Sequence, residues 1–152
     1  MKTGLLALIF IVGLSMASFG QHVLTNRSQS SAQIWLKGDF RKYKYNLTKT
    51  DTTLMLVSND SKLSPCSVYC SFKKRGNCFF QKEAFSCDTC YKISLTVMLN
   101  KKRFKWKQIG TDRYLSKYRR HLLLAGNAEK HYYTLTMLDI KEEDYKRLLG
   151  GQ

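Results

Sequence analysis

The sequence lacks every short signature that would announce an enzyme. There is no His-Glu-x-x-His, no Gly-x-Ser-x-Gly and no glycine-rich phosphate loop. The three histidines, His22, His121 and His131, are scattered, and His121 reads as a strand residue rather than a general base. Glu142, Glu143 and Asp144 are adjacent on an expected helix, so they fan around it and serve better as charge for its first turn than as an acid–base pair. No catalytic role and no cofactor is therefore expected. No period of 20–50 residues repeats, which argues against a solenoid. Acidic residues are also scarce, 11 against 26 lysines and arginines, giving a formal net charge of +15.

Long apolar runs occur only at the amino terminus. Lys2 supplies a short positive region, Leu5–Val12 an apolar core extended by Leu14 and Met16, and Ser18 and Gly20 the small residues of a cleavage site. This is the layout of a signal peptide over residues 1–20, too short for the roughly 20 apolar residues that cross a bilayer. The expectation is a secreted, extracellular chain with no transmembrane segment, starting at Gln21 and long enough for one domain. Removing residues 1–20 takes away Lys2 and no acid, so the positive excess survives. Outside the cell such an excess points to polyanions, sulfated glycosaminoglycan foremost.

The five cysteines, Cys66, Cys70, Cys78, Cys87 and Cys90, are all candidates for disulfides in an oxidising compartment. Two bridges leave one thiol. Cys66-x3-Cys70 with Cys87-x2-Cys90 also has the look of a four-thiolate zinc site, which an oxidising compartment disfavours. If the segments are strands, residues four apart lie about 13 Å from one another, beyond disulfide reach. That expectation favours Cys66 or Cys70 bridged to Cys87 or Cys90, with Cys78 as second partner or odd thiol. Asn26, Asn46 and Asn59 begin N-glycosylation sequons.

Along the chain, residues 21–33 are polar and read as a flexible lead-in, followed by a single β-rich domain over 34–152. Period-two alternation dominates. Tyr43, Tyr45 and Leu47 alternate with lysines, and Thr52–Ser58 is β-branched and apolar. Ile93, Leu95, Val97 and Leu99 alternate with Lys92, Ser94 and Thr96, and further strands are expected at 103–109, 121–125 and 132–138. The last element differs. Asp139 is a candidate cap, three acids open the first turn, and Tyr145, Leu148 and Leu149 share one helical face. The fold class expected is mainly β: a small OB-like β-barrel with a C-terminal α-helix, the alternative being an immunoglobulin-like β-sandwich.

The run Arg120-His-Leu-Leu-Leu-Ala-Gly126, the polar hairpin after it, the strand Tyr132–Leu138 and the helix Lys141–Leu149 together resemble the netrin-like (NTR) module, closest to the end of secreted frizzled-related proteins and more distantly to tissue inhibitors of metalloproteinases. The resemblance is strongest over 101–149. It lacks the family's usual cysteines near 112–115 and any cysteine after Cys90. It implies an OB-type barrel and an extracellular binding role. A protease-inhibitor role of the same superfamily would need an N-terminal cysteine on the catalytic zinc, where this chain has Gln21. An immunoglobulin-like cytokine or receptor fragment is the other alternative.

The densest charge is Asn100-Lys-Lys-Arg-Phe-Lys-Trp-Lys107. On a strand, Lys101, Arg103, Lys105 and Lys107 would line one side at about 6.6 Å spacing. Lys102, Lys117, Arg119 and Arg120 would add to them if the neighbouring strand pairs alongside. Cations at that spacing suit a sulfated glycosaminoglycan or another polyanion, bound with steep salt dependence. The function expected is an extracellular binding module that takes glycosaminoglycan and a protein ligand.

Overall fold

The structure, a computed structural model, describes residues 23–58, 65–74, 76–129 and 132–150. The expected leader at 1–20, His22, Asn59 and His131 lie outside these residues. In chain order the elements are α1 (Gln29–Phe40), β1 (Tyr45–Lys49), β2 (Thr53–Ser58), β3 (Ser67–Phe72), β4 (Cys78–Phe85), α2 (Asp88–Leu99), β5 (Trp106–Gly110), β6 (Arg113–Ser116), β7 (His121–Glu129), β8 (Tyr132–Asp139) and α3 (Glu142–Gly150). The strands form one eight-stranded antiparallel sheet in the order β1-β2-β3-β4-β8-β7-β6-β5. The molecule is thus mainly β with a C-terminal helix, and the sheet is open, with β1 and β5 as its edges.

The order encodes a duplication in space. A helix followed by a four-stranded meander occurs twice, and the last strand of each meander meets its counterpart, β4 against β8, at the centre. The second helix starts about sixty residues after the first, at Asp88 against Gln29.

One face of the sheet is buried. Strand alternation places Leu54 and Leu56 of β2, Val68, Cys70 and Phe72 of β3, Phe85 of β4, Leu135 and Met137 of β8 and Leu123 and Ala125 of β7 on it. Two apolar clusters form there. In one, Ala32, Leu36 and Phe40 of α1 cover β2 and β3; in the other, Met98 of α2 with Leu95 and Tyr91 covers β4, β7 and β8. The opposite face carries Met55, Tyr69 and Lys82 in register, with Met55 and Tyr132 exposed.

Three expectations change. The helix α1 begins inside the supposed lead-in, because Ala32, Leu36 and Phe40 fall four residues apart and Ser28 accepts the Ser31 N–H as its cap. Ahead of it, Val23, Leu24 and Thr25 are buried. The alternation over 92–99 is helix α2, not strand: Cys87 caps it, Asp88 sits in its first turn, and Tyr91, Leu95 and Met98 make the buried stripe at helical spacing. Residues 101–105 are a turn that closes with the Phe104 N–H on Lys101 O at 3.0 Å, and the strand starts only at Trp106.

Candidate functional site

The cations singled out in the sequence do not form a strand-face row. The turn sends Phe104 into the core, 2% exposed, while its neighbours Lys102, Arg103 and Lys105 stay outside. Lys105 takes φ 42°, a left-handed conformation that a side chain adopts only under constraint. Trp106 donates its indole N–H to Met98 O at 2.9 Å and stacks on Phe104, which fixes the turn beneath the end of α2. Lys101 is half-buried; burial, then the Arg103 charge, pulls its ammonium below the usual range, against the attraction of Glu83. Lys107 is exposed on the edge strand β5, apart from this turn.

The second basic run still arrives beside the first, by another route than strand pairing. The strand at 121–129 pairs with β6 and β8, not with 101–107. The β6–β7 turn instead backs onto the 101–105 turn, with the Lys117 N–H donating to Phe104 O at 3.0 Å and Lys105 O at 3.2 Å. Ser116, fully buried, ties the same corner by donating to Phe104 O and accepting from the Arg119 N–H. The Lys105 ammonium lies over the Tyr118 ring at 5.0 Å.

A residue from the amino-terminal segment completes the group. The segment pairs with the start of β4: the Asn26 N–H donates to Cys78 O at 2.7 Å, and the Cys78 N–H to Arg27 O at 2.8 Å. Asn26 itself has φ 68°, a conformation Asn tolerates better than most residues. Arg27 lies over the Trp35 ring at 4.9 Å, and Arg103 over Phe104 at 4.9 Å. The guanidinium of Arg103 is held below its ordinary range by burial first, and then by the charges of Arg119 and Arg27. Arg27 and Arg119 therefore both lie within electrostatic range of Arg103. Among the described residues, none of the three is in an ion pair with a carboxylate, whereas Arg120 reaches Glu142 at 3.7 Å.

Beside them opens a cleft of about 410 Å³ lined by Asn26, Lys117, Tyr118, Arg119, Arg120, His121, Asp139, Glu142 and Tyr145. Tyr145 of α3 donates to Ser116 O and Lys117 O, both at 2.9 Å, so the C-terminal helix holds the β6–β7 turn in place. His121, 2% exposed, stands at the floor with Nε2 3.4 Å from Asn26 Nδ2 and Nδ1 without a partner. Burial lowers its pKa to about 4, against the pull of Asp139 and with the push of Arg119, Arg103 and Arg120. At neutral pH the ring is uncharged, and the positive potential comes from the arginines and lysines.

Of the residues read from the sequence, Arg103, Lys105, Lys117, Arg119 and Arg120 come together. Lys101 is half-buried and within electrostatic range of Glu83, while Lys102 and Lys107 are exposed outside this group. Arg27 was missed, and Asn26 was read only as a glycosylation acceptor: both sit in a polar stretch with no signal for this site, and they meet the cluster only through pairing with β4. Of the sequons, Asn46 is exposed on the edge strand β1, while the Asn26 amide is engaged with His121.

The cysteines also depart from expectation. Cys87 and Cys90 are bonded to each other, with Cα atoms 5.2 Å apart. The assumption of an extended strand fails there, because Cys87 caps α2 and the helical turn brings residues three apart into disulfide range. Cys66, Cys70 and Cys78 are thiols. No group of three or more His, Cys, Asp or Glu side chains among the described residues is arranged to hold a metal ion. No described helix is long and apolar enough to cross a membrane. No protein-family model, curated protein or solved structure matches the chain.

Proposed function

We propose that this chain is an extracellular binding protein for sulfated polyanions, heparan-type glycosaminoglycan above all, and that it binds them through Arg27, Arg103 and Arg119 with Lys105, Lys117 and Arg120 around them. One observation carries this reading: Arg27 and Arg119, from distant parts of the chain, both act on the guanidinium of Arg103, and none of the three has a carboxylate partner among the described residues. Bringing like charges together destabilises a fold, so their convergence is better explained by an anionic ligand that attracts all three. Guanidinium groups suit sulfate because their planar donors engage two oxygens at once. The constrained backbone at Asn26 and Lys105, both at this corner, is the kind of local strain that accumulates at binding sites. The signal-peptide pattern at 1–20 supplies the extracellular setting.

Heparin-affinity chromatography tests the proposal against net charge alone. The triple variant Arg27→Ser, Arg103→Ser, Arg119→Ser should elute at clearly lower salt than wild type. A charge-matched control, Arg41→Ser, Lys42→Ser, Lys44→Ser, near the other edge of the sheet, should elute close to wild type. The dependence of affinity on salt should also become shallower in the first variant only, by somewhat less than one unit of log–log slope for each arginine removed from the site. Equal shifts for both variants would reduce the interaction to bulk charge, and wild-type elution at or below physiological salt would end the proposal.

A further inference from the structure

Two thiols meet in the core beneath α1. Cys70 lies on β3 and Cys78 opens β4, and they are 0% and 1% exposed. In the β3–β4 register Cys70 stands opposite Gln81, and Cys78 stands opposite Phe72, two residues beyond Cys70. The thiols therefore occupy diagonal positions on one face of a hairpin, where side chains are within reach of each other. A register shift between Ser71 and Phe72 inserts Phe79 into β4 between the two pairings. The two side chains are hydrogen bonded to each other. In the fold that contact pushes the Cys70 pKa up and the Cys78 pKa down, and the Cys78 thiol donates to Phe80 O at 3.2 Å.

We infer that Cys70 and Cys78 form a disulfide across the β3–β4 hairpin in the oxidised protein, so that the chain carries two bridges, Cys70–Cys78 and Cys87–Cys90, and one thiol, Cys66. The oxidant is a small disulfide of the glutathione type. In the folding chain the thiolate of either cysteine attacks one of its sulfurs; a mixed disulfide forms, and one glutathione leaves as a thiolate that takes up a proton. The other cysteine then gives up its proton and attacks the sulfur of the first; the mixed bond breaks, and the second glutathione leaves as a thiolate that takes up that proton. Two electrons and two protons pass from the cysteine pair to the oxidant. Both thiols are shielded from solvent in the native fold, so the exchange belongs to the folding chain, before α1 covers the hairpin.

Cys66 is different in kind. It is half-buried, its thiol donates to Ala84 O at 3.2 Å, and burial pushes its pKa up, which keeps it protonated and poorly nucleophilic. Lying four residues from Cys70 at the head of the same extended segment, it cannot reach that partner.

The wild-type chain answers the question without any variant. It is folded in a glutathione redox buffer, its free thiols are alkylated in denaturant, and it is digested without reduction by trypsin and chymotrypsin. Trypsin cuts after Lys73, Lys74 and Arg75, which puts Cys70 and Cys78 on separate peptides, and chymotrypsin cuts after Tyr69 to part Cys66 from Cys70. Mass spectrometry should find the Cys70 and Cys78 peptides joined, Cys66 alkylated and one titratable thiol per chain. Alkylated Cys70 and Cys78, three thiols per chain, or either cysteine joined to Cys66, Cys87 or Cys90 would overturn the inference. Heparin affinity is not part of the readout, so this result stands or falls apart from the polyanion proposal.

Discussion

Glu83 occupies an unusual place for a carboxyl group. In register, Leu56, Val68, Glu83, Leu135 and Ala125 form one row across β2, β3, β4, β8 and β7 on the buried face, and Glu83 is its only polar member. One of its oxygens accepts from Gln81 Nε2 at 2.7 Å, and the other has no partner. Burial raises its pKa to about 8, against the Gln81 hydrogen bond and the attraction of Lys101 and with the repulsion of Asp39. Because the folded value lies above the unfolded one, the native state holds a proton that the unfolded chain has already released. The stabilisation is complete below the unfolded pKa of about 4.5 and is lost as pH rises through about 8. Glu83→Gln removes this dependence while keeping the shape and the contact to Gln81. The thermal midpoint of the variant should match wild type near pH 4.5 and exceed it by several degrees at pH 8. His121 titrates in both proteins with the opposite sign, its contribution to stability being lost as pH drops from its ordinary value through about 4, so it cancels in the difference. A difference that stays flat from pH 5 to pH 8 would show that Glu83 is ionised in the fold. Nothing in the local sequence announces this residue, since Lys82-Glu-Ala84 reads as an ordinary polar stretch and only the strand register turns Glu83 inward.

At the scale of elements, alternation and helical spacing compete for the same residues. The strands β2 and β7 were legible as short β-branched or apolar runs bounded by turn residues, β8 from its alternation of threonine with apolar residues, and α3 from its acidic first turn and its Tyr145-x-x-Leu148 face. Helix α2 was not, because Ile93, Leu95, Val97 and Leu99 satisfy a period of two while Tyr91, Leu95 and Met98 satisfy the helical one. The cap at Cys87 and the burial of Met98 against Phe104 and Leu123 decide between them. Helix α1 hid for a different reason: its first turns are serine and glutamine, and its buried stripe opens with the small Ala32, which carries little weight in a hydropathy reading. Ala32 is 0% exposed against Leu36, Leu54 and Phe72 of its cluster. Overpacking that position tests the helix directly: Ala32→Leu should cost about 1–3 kcal/mol, measured by chemical denaturation. Ser30→Ala, at an exposed position on the same helix, should change little. Were residues 21–33 the mobile lead-in that their composition suggests, both substitutions would be silent.

The whole molecule poses the question of whether two similar halves are one folding unit. Each half has its own helix and its own apolar cluster, and a chain built this way can unfold in two steps. Two features bind the halves. The strands β4 and β8 pair over six residues, from Phe80–Leu138 to Phe85–Tyr133, so the sheet continues without interruption. The amino-terminal segment also spans the boundary: Val23 packs in the second cluster, Leu24 in the first, and the Leu24 N–H donates to Gln81 Oε1 on β4 at 2.7 Å. The chain carries two tryptophans, Trp35 on α1 and Trp106 on β5. One therefore reports on each half. In Trp106→Phe the fluorescence follows the first half, and in Trp35→Phe it follows the second. Both should give a single denaturant transition that coincides with loss of secondary structure measured on the same variant. Adding Leu24→Ala to either background should move its transition to lower denaturant, by about 2–5 kcal/mol for a buried leucine, without splitting it. If the Trp35 signal shifts while the Trp106 signal stays put, the halves are separately stable, and the segment that carries Arg27 belongs to one of them alone. The proposed polyanion site would then span two independently unfolding pieces, with Arg27 on one and Arg103 and Arg119 on the other, and heparin would couple them. The coupling is measurable as well, because a ligand that binds both pieces raises both midpoints together, whereas in a single cooperative unit heparin shifts one transition common to both probes.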